Sequence, residues 1–113
     1  MSLSVTIREA TTDYIDFQLL FNKVGINLSA IDHLTMTLED SVGASVTYST
    51  DDSSPKLFIT DDGVDGKVQF RPAVTDLVYS KQPYKGFFWV YVTSIRKYSV
   101  PENTEFEVEI HKL

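Results

Sequence analysis

The chain has 113 residues, no cysteine and a formal net charge of −6 at pH 7. That length is sufficient for one domain with its own core, and the lack of cysteine excludes a disulfide framework, a cysteine zinc site and a thiol nucleophile. The 10 basic residues are scattered among 16 acidic ones, so they do not form the clustered positive surface that nucleic-acid binding requires.

Eight segments are predicted to be β-strands, and nearly all of them alternate between apolar and polar side chains as half-buried strands do. In chain order they are residues 3–9, 14–21, 33–39, 44–49, 56–60, 67–71, 86–95 and 104–111. Turns or loops are predicted at 10–13, 22–29, 40–43, 49–55, 61–66 and 96–103. The side chains predicted to face the core are Leu3, Val5, Ile7, Ile15, Phe17, Leu19, Phe21, Leu34, Met36, Leu38, Val46, Tyr48, Leu57, Ile59, Val68, Phe70, Phe88, Val90, Val92, Phe106, Val108 and Ile110.

One further segment is predicted to be helical. Residues 73–79 follow Pro72 and carry apolar side chains at helix-like spacing, so they predict one short helical turn that crosses between sheets. The other predicted elements are strands about ten residues apart, with no alternation of strand and helix. Residues 1–113 therefore predict a single all-β domain, a two-sheet antiparallel β-sandwich of about seven to nine strands.

The most apolar stretch is residues 86–95, which contains the only tryptophan and no charged residue. Alternation divides its side chains between two faces, with Phe88, Val90 and Val92 on one and Phe87, Trp89 and Tyr91 on the other. Because both faces are apolar, the strand is either covered on both sides or keeps one face for a partner. Placing the aliphatic face inward matches the other strands and leaves Trp89 and Tyr91 outward, where such side chains are typical interface anchors.

The aromatic residues as a set allow three interpretations: a core, a protein interface or a platform on which sugars stack. The set is Phe58, Tyr84, Phe87, Trp89, Tyr91 and Tyr98. Aromatic side chains of β-sandwiches belong mostly to the core, and Trp89 and Tyr91 are the exceptions that we predict. The candidate partner interface consists of Phe58, Phe87, Trp89 and Tyr91.

The acidic segment 61–66 resembles the start of a calcium-binding loop. The EF-hand pattern fails, because its third position is Gly63 and its twelfth, where a glutamate should bind the ion, is Pro72. Aspartate-glycine pairs are ordinary turn formers, so we interpret the segment as a turn and predict no metal. A looser ion site that includes Asp51 and Asp52 stays open as an alternative.

The sequence predicts no catalytic residue and no cofactor. His33 and His111 are the only candidate bases near neutral pH, and no nucleophile motif accompanies either, so we interpret both as surface or structural residues. Glu105, Glu107 and Glu109 alternate along one strand as a solvated face would. A hydrolase whose acid and base converge only in the fold is the remaining alternative.

No membrane segment or targeting signal is predicted. The chain contains no run that approaches the roughly 18 apolar residues of a membrane helix. Its N-terminus lacks the basic region and apolar run of a signal peptide.

Several segments together resemble one protein family. The first half contains IDF at 15–17, GINLS at 25–29 and LTMTLEDSVG at 34–43. The second half contains a glycine followed by a strand, GKVQF at 66–70, then YKGFFWVYV at 84–92 and a closing strand that ends near Ile110. This series, which covers most of the chain, resembles the N-terminal domain of phage baseplate upper proteins and related tail or prophage modules.

The resemblance implies an immunoglobulin-like β-sandwich that joins a multi-subunit virion assembly and catalyses no reaction. Its partners would be other tail or baseplate proteins, and its location the virion, assembled in the cytoplasm of the bacterial host. Members of the family often carry receptor-binding or spacer domains after this one. Because this chain ends at Leu113, we expect a stand-alone structural or adaptor piece.

We expect the mode of action to be self-association or binding of a neighbouring subunit. In a symmetric homo-oligomer, the outward side chains of Phe58, Trp89 and Tyr91 would be buried against the neighbour, with strand edges open to β-augmentation. The alternative function is a carbohydrate- or receptor-binding module that uses the same aromatic side chains.

Overall fold

The computed structural model describes residues 4–8, 14–21, 24–73, 76–100 and 106–111, and its regular structure is β-strand apart from two 3₁₀ turns. The 3₁₀ turns are Asp61–Gly63 and Tyr79–Lys81. The strands are β1 (Ser4–Arg8), β2 (Ile15–Gln18), β3 (Leu20–Phe21), β4 (Val24–Gly25), β5 (His33–Glu39), β6 (Ser45–Ser49), β7 (Leu57–Ile59), β8 (Lys67–Phe70), β9 (Tyr84–Tyr91), β10 (Lys97–Val100) and β11 (Phe106–His111).

The described strands form two main sheets and one small hairpin. The larger sheet has the order β1-β11-β9-β5-β6, and β10 pairs with the same edge of β9 as β11 does. The smaller sheet has the order β2-β8-β7, and β3 pairs with β4 in a hairpin of its own. Apart from β1, these neighbours reproduce the strand arrangement of an immunoglobulin-like sandwich. The predicted all-β sandwich is confirmed.

One strand pair departs from the predicted antiparallel arrangement. β1 runs parallel to β11, with Val5 opposite Val108 and Ile7 opposite Ile110. A hairpin forces its two strands to be antiparallel, but most of the chain separates β1 from β11. No short connection therefore sets the direction of this pair.

The core lies between the two sheets and contains most of the side chains predicted for it. Phe17 on β2 crosses to the larger sheet, where its ring centroid lies 5.2 Å from that of Phe88 and 5.1 Å from that of Phe106. The predicted core residues confirmed as buried are Ile15, Phe17, Leu19, Leu34, Met36, Leu38, Tyr48, Leu57, Val68, Phe70, Phe88, Val90, Phe106 and Val108. Ile59 is partly buried against them.

Two side chains predicted to face the core do not. Val92 is 44 % exposed, because β9 ends one residue earlier, at Tyr91. The amides of Val92 and Thr93 both donate to the carbonyl of Arg96, at 2.8 and 3.3 Å, which reverses the chain there. Val46 is 54 % exposed because β6 is an edge strand, whose far side has no neighbour in the described sheet.

Three segments have a different structure from the one predicted. Val24–Gly25, predicted to be part of the loop 22–29, forms β4, which pairs with β3. Residues 97–100, predicted to be part of a loop, form β10, which pairs with β9. The helical turn predicted at 73–79 is not found at the described residues 73 and 76–78, and a 3₁₀ turn lies instead at Tyr79–Lys81. Pro83 follows this turn, and because proline has no amide hydrogen to donate, the chain does not continue as a helix.

Some sequence predictions fall on parts of the chain that the structure does not describe. Leu3, the turn at 10–13 and Glu105 lie outside the described residues. The backbone, but not the side chain, is described at Val5, Ile7, Phe21, Glu107, Glu109, Ile110 and His111.

The acidic segment 61–66 forms the predicted turn. After the 3₁₀ turn, Gly66 adopts a φ of +74°, a conformation that side chains disfavour. Its carbonyl accepts a hydrogen bond of 2.8 Å from the amide of Leu19, and the carbonyl of Gly63 accepts one of 2.6 Å from Leu28. The turn is thereby fixed against the chain around β3 and β4.

Candidate interaction surface

The row of aromatic side chains on β9 lies on the outer face of the larger sheet. Phe88 and Val90 point into the core and are buried, whereas Phe87, Trp89 and Tyr91 alternate with them and are half-buried. On one side, β5 pairs with β9 at all three positions, and on the other side β10 pairs with it at Trp89 and Tyr91. The strand therefore has one core face and one outer face, as its sequence predicts.

Direct ring contacts organise this row. Phe87 meets Trp89 edge-on, with ring centroids 5.9 Å apart and planes at 87°. His33 on β5 stacks on Tyr91, with ring centroids 4.1 Å apart and planes at 13°. We call the surface formed by Phe87, Trp89, Tyr91, His33 and Lys97 the aromatic face.

Lys97 supplies the cation of the aromatic face. Its Nζ lies 4.4 Å from the centroid of the Trp89 ring and 5.3 Å from that of Tyr91. The same atom lies 3.4 Å from the Tyr91 hydroxyl, to which it donates a long hydrogen bond. An ammonium above an indole ring is attracted by the electron density of the ring face. Lys97 therefore covers part of Trp89 and holds a positive charge at the β10 side of the face.

Carboxylates lie at the opposite side of the face. His33 Nδ1 is 2.6 Å from Asp32 Oδ2 and 3.9 Å from Asp51 Oδ2. The carboxylates of Asp32 and Asp51 are 47 % and 65 % exposed, whereas the His33 side chain is mostly covered. The hydroxyl of Ser49 also donates to Asp51. The aromatic face thus has a basic edge and an acidic edge.

The structure separates Phe58 from the other three predicted interface residues. Phe58 lies on β7 in the smaller sheet, opposite Gln69, and faces away from the core between Leu57 and Ile59. The guanidinium carbon of Arg71 lies 3.9 Å from the centroid of its ring and 4.5 Å from that of Tyr14. Phe58 therefore lies on the opposite outer face of the sandwich, and the structure does not bring it together with Phe87, Trp89 and Tyr91.

The remaining aromatic residues of the predicted set have other roles. Tyr84 is buried, its hydroxyl accepts a 3.0 Å hydrogen bond from the amide of Val78, and burial raises the pKa of its phenol. Tyr98 on β10 is largely exposed, and partial burial of its hydroxyl also raises its pKa. Neither residue belongs to the aromatic face.

Asp76 forms a polar cluster beneath β6 that the sequence did not indicate. Its carboxylate lies 2.8 Å from Lys56 Nζ and accepts hydrogen bonds from the Tyr48 hydroxyl at 3.2 Å and the Ala73 amide at 2.7 Å. Burial, and secondarily the Asp76 carboxylate, raises the pKa of the Tyr48 phenol well above its usual value. Because the donors around Asp76 are already provided by the chain, we interpret the cluster as structural.

Lys97 and His33 are the members of the aromatic face that sequence reasoning missed. The sequence predicts a loop at 96–103 that contains Lys97, and it indicates only a surface or structural role for His33. The pairing register places Lys97 opposite Tyr91 and Tyr91 opposite His33, which single-strand alternation does not reveal. The sequence signal that could have identified Lys97 is its position beside Tyr98, shortly after the aromatic strand.

Among the described residues, no group of three or more His, Cys, Asp or Glu side chains is arranged to hold a metal ion. The described part of the chain also contains no helix long and apolar enough to cross a membrane. Comparison with models of known protein families and with curated proteins finds no match.

Proposed function

We propose that this chain is a non-catalytic structural domain of a phage or prophage tail or baseplate, and that it assembles through protein-protein contacts at the aromatic face. The observation that carries the proposal is the row of Phe87, Trp89 and Tyr91 on the outer face of a central strand. Large, rigid side chains that combine apolar rings with a polar group are the usual anchors of protein interfaces.

The assignment to a phage tail rests on the sequence resemblance, and the fold is consistent with it. The resemblance implies an immunoglobulin-like sandwich, which is the architecture of the described strands. The proposed partners are other tail or baseplate proteins and further copies of the chain, and the proposed location is the virion. The acidic net charge and scattered basic residues favour a protein partner over nucleic acid.

A carbohydrate-binding module is the second candidate, because Trp89 and Tyr91 have the ring types on which sugars stack. The position of Lys97 favours a protein over a sugar at this site. Its ammonium lies 4.4 Å from the centre of the Trp89 ring, where a stacked sugar would have to lie. Titration with a panel of glycans, followed through the fluorescence of Trp89, distinguishes the two candidates.

The test of the proposed function is complex formation with tail proteins encoded beside this one. We expect light scattering to show a complex with the wild-type chain that Trp89→Ala weakens, while circular dichroism shows an unchanged fold. Phe58→Ala, on the opposite face, is the matched control and should leave the complex intact. Binding that is indifferent to Trp89→Ala with every partner would contradict the proposal.

A further inference from the structure

The outer face of the larger sheet has a ridge beside a furrow. The ridge is the aromatic row on β9. Beside Phe87 and Trp89, the positions on β5 and β6 carry small side chains, which are Thr35, Thr37, Thr47 and Ser49, and Thr35 is buried at the bottom of the furrow. Beside Tyr91 the position on β5 is occupied by the stacked ring of His33. The hydroxyls of Thr37 and Thr47 lie 2.9 Å apart and form a hydrogen bond between β5 and β6. At the level of Phe87 and Trp89 the surface is therefore high over β9 and low over β5 and β6.

Charge is divided across the same face. One row of side chains crosses the sheet from β10 to β5 in the order Lys97, Tyr91, His33. The carboxylates of Asp32 and Asp51 lie beside His33 at the end of this row. Among the described residues, no carboxylate oxygen lies within 4.0 Å of Lys97 Nζ. The cation and the acids thus occupy opposite ends of one row.

A second row of charged residues crosses the same sheet. Lys85 on β9 lies between two acidic residues in the pairing register, Glu39 on β5 and Glu107 on β11. This row has an acidic residue on each side of its lysine, so it is the row of Lys97 that divides charge between the β9 and β10 side of the face and the β5 and β6 side.

We infer that the partner at the aromatic face is a second copy of this chain, packed across a two-fold axis that runs parallel to the strands between β5 and β9. The inference rests on the proposed function, because it names the occupant of the same surface. A two-fold interface must be complementary to itself, so each feature on one side of the axis needs its counterpart on the other.

The proposed axis satisfies this requirement in both shape and charge. It places β9 of each copy over β5 of the other, so that Trp89 lies over Thr35 in the furrow and Tyr91 lies over the ring of His33. It also places β10 over the end of β6, so that Lys97 faces Asp51 of the second copy and Lys85 faces Glu39. The four strands span only about 14 Å and packed sheets lie about 10 Å apart, distances that a lysine side chain can bridge.

The charge pairs are essential to this arrangement, since each chain carries a net charge of −6 and two copies repel each other at long range. Reversal of one charge should therefore prevent pairing, and reversal of both should restore it. The variants are Lys97→Glu and the double variant Asp32→Lys with Asp51→Lys. Lys81→Glu, in the 3₁₀ turn and away from the aromatic face, is the matched control for the change in net charge.

The experiment is sedimentation equilibrium of the full chain up to about 1 mM, a concentration at which even a dissociation constant near 1 mM is measurable. We expect the wild type and Lys81→Glu to dimerise alike, and each interface variant alone to have a dissociation constant raised by about tenfold or more. An equimolar mixture of the two interface variants should recover wild-type association as a heterodimer.

Three outcomes would overturn the inference, and they are separable from failure of the proposed function. A wild-type chain that stays monomeric excludes the second copy, while binding of a tail protein that depends on Trp89 would preserve the proposed function. If Trp89→Ala weakens the dimer but mixing the two charge-reversed variants does not restore association, the two copies pack on this face in a different register. A dimer indifferent to Trp89→Ala and to the charge variants uses another surface, and absence of any binding that depends on Trp89 removes the proposed function as well.

Discussion

The imidazole of His33 lies parallel to the phenol ring of Tyr91, with centroids 4.1 Å and planes 13° apart. This stack joins β5 to β9 on the outside of the sheet, opposite the buried pair of Leu34 and Val90. Asp32 Oδ2 lies 2.6 Å from His33 Nδ1, so a carboxylate lies beside the aromatic row. The aromatic face is therefore a continuous surface across strands.

Phe17 is the residue whose loss should most weaken the contact between the sheets. Its ring packs on both Phe88 and Phe106, so Phe17→Ala leaves a cavity between the two sheets. We expect the free energy of unfolding in urea to fall by about 3 to 5 kcal/mol. Ile95→Ala is the control, and because Ile95 is exposed it should change stability by less than about 0.5 kcal/mol. Equal effects of the two substitutions would contradict the described core.

Gly86 should not tolerate a side chain. A Cβ at this position would lie 2.6 Å from Phe106 Cζ and 2.8 Å from the carbonyl oxygen of Thr37, which belongs to the adjacent strand. Gly86→Ala should therefore lower the free energy of unfolding by about 1 to 3 kcal/mol through overpacking. Ser45→Ala, on exposed edge strand β6, is the control and should be close to neutral. A neutral Gly86→Ala would mean that β5, β9 and β11 are less closely packed than described.

Tyr48 should make the protein sensitive to alkali. Because its pKa is raised on folding, the unfolded chain loses this proton first, so stability should fall as pH rises above about 10. Each such tyrosine contributes a slope of up to about 1.4 kcal/mol per pH unit in that range. In Tyr48→Phe, urea unfolding between about pH 9 and 11 should show a shallower decline, together with a loss of about 1 kcal/mol at neutral pH from the missing hydrogen bond to Asp76. Identical slopes in the two proteins would contradict the prediction.

Lys56 and Asp76 should be energetically coupled. Their side chains are 38 % and 12 % exposed, so solvent screens the pair in part. A double-mutant cycle with Lys56→Met and Asp76→Asn should give a coupling of about 1 kcal/mol that weakens in concentrated salt. Asp76→Asn alone should cost more than Lys56→Met alone, because the carboxylate also accepts from Tyr48 and Ala73. A larger loss of stability in Lys56→Met than in Asp76→Asn would contradict this prediction.

Much of the fold was predictable because strand alternation is a local property. Period-two patterning separated Phe88 from Trp89 correctly, since neighbouring side chains on a strand must face opposite ways. It did not predict where β9 ends, because hydrogen bonds from Val92 and Thr93 to Arg96 determine that point. Strand ends depend on such turns more than on side-chain pattern.

The candidate site was predictable only in part, because sheet membership depends on contacts between distant segments. Phe58 and Trp89 both read as outward aromatic residues, yet pairing with β8 places Phe58 in the other sheet. Lys97 joined the aromatic face only through its register with Tyr91. Neither strand pairing can be predicted from the sequence of one strand alone.

The fluorescence of Trp89 tests the central claim most directly, because it is the only tryptophan in the chain and reports on the aromatic face without a label. On binding of a second copy or a tail protein, its emission should shift to shorter wavelength and acrylamide should quench it less, since the indole leaves water. Tyr98→Phe, outside the aromatic face, should show the same response as the wild type. An emission spectrum that stays unchanged while light scattering records a complex, or that responds to a glycan and not to protein, would contradict the claim that this face binds protein.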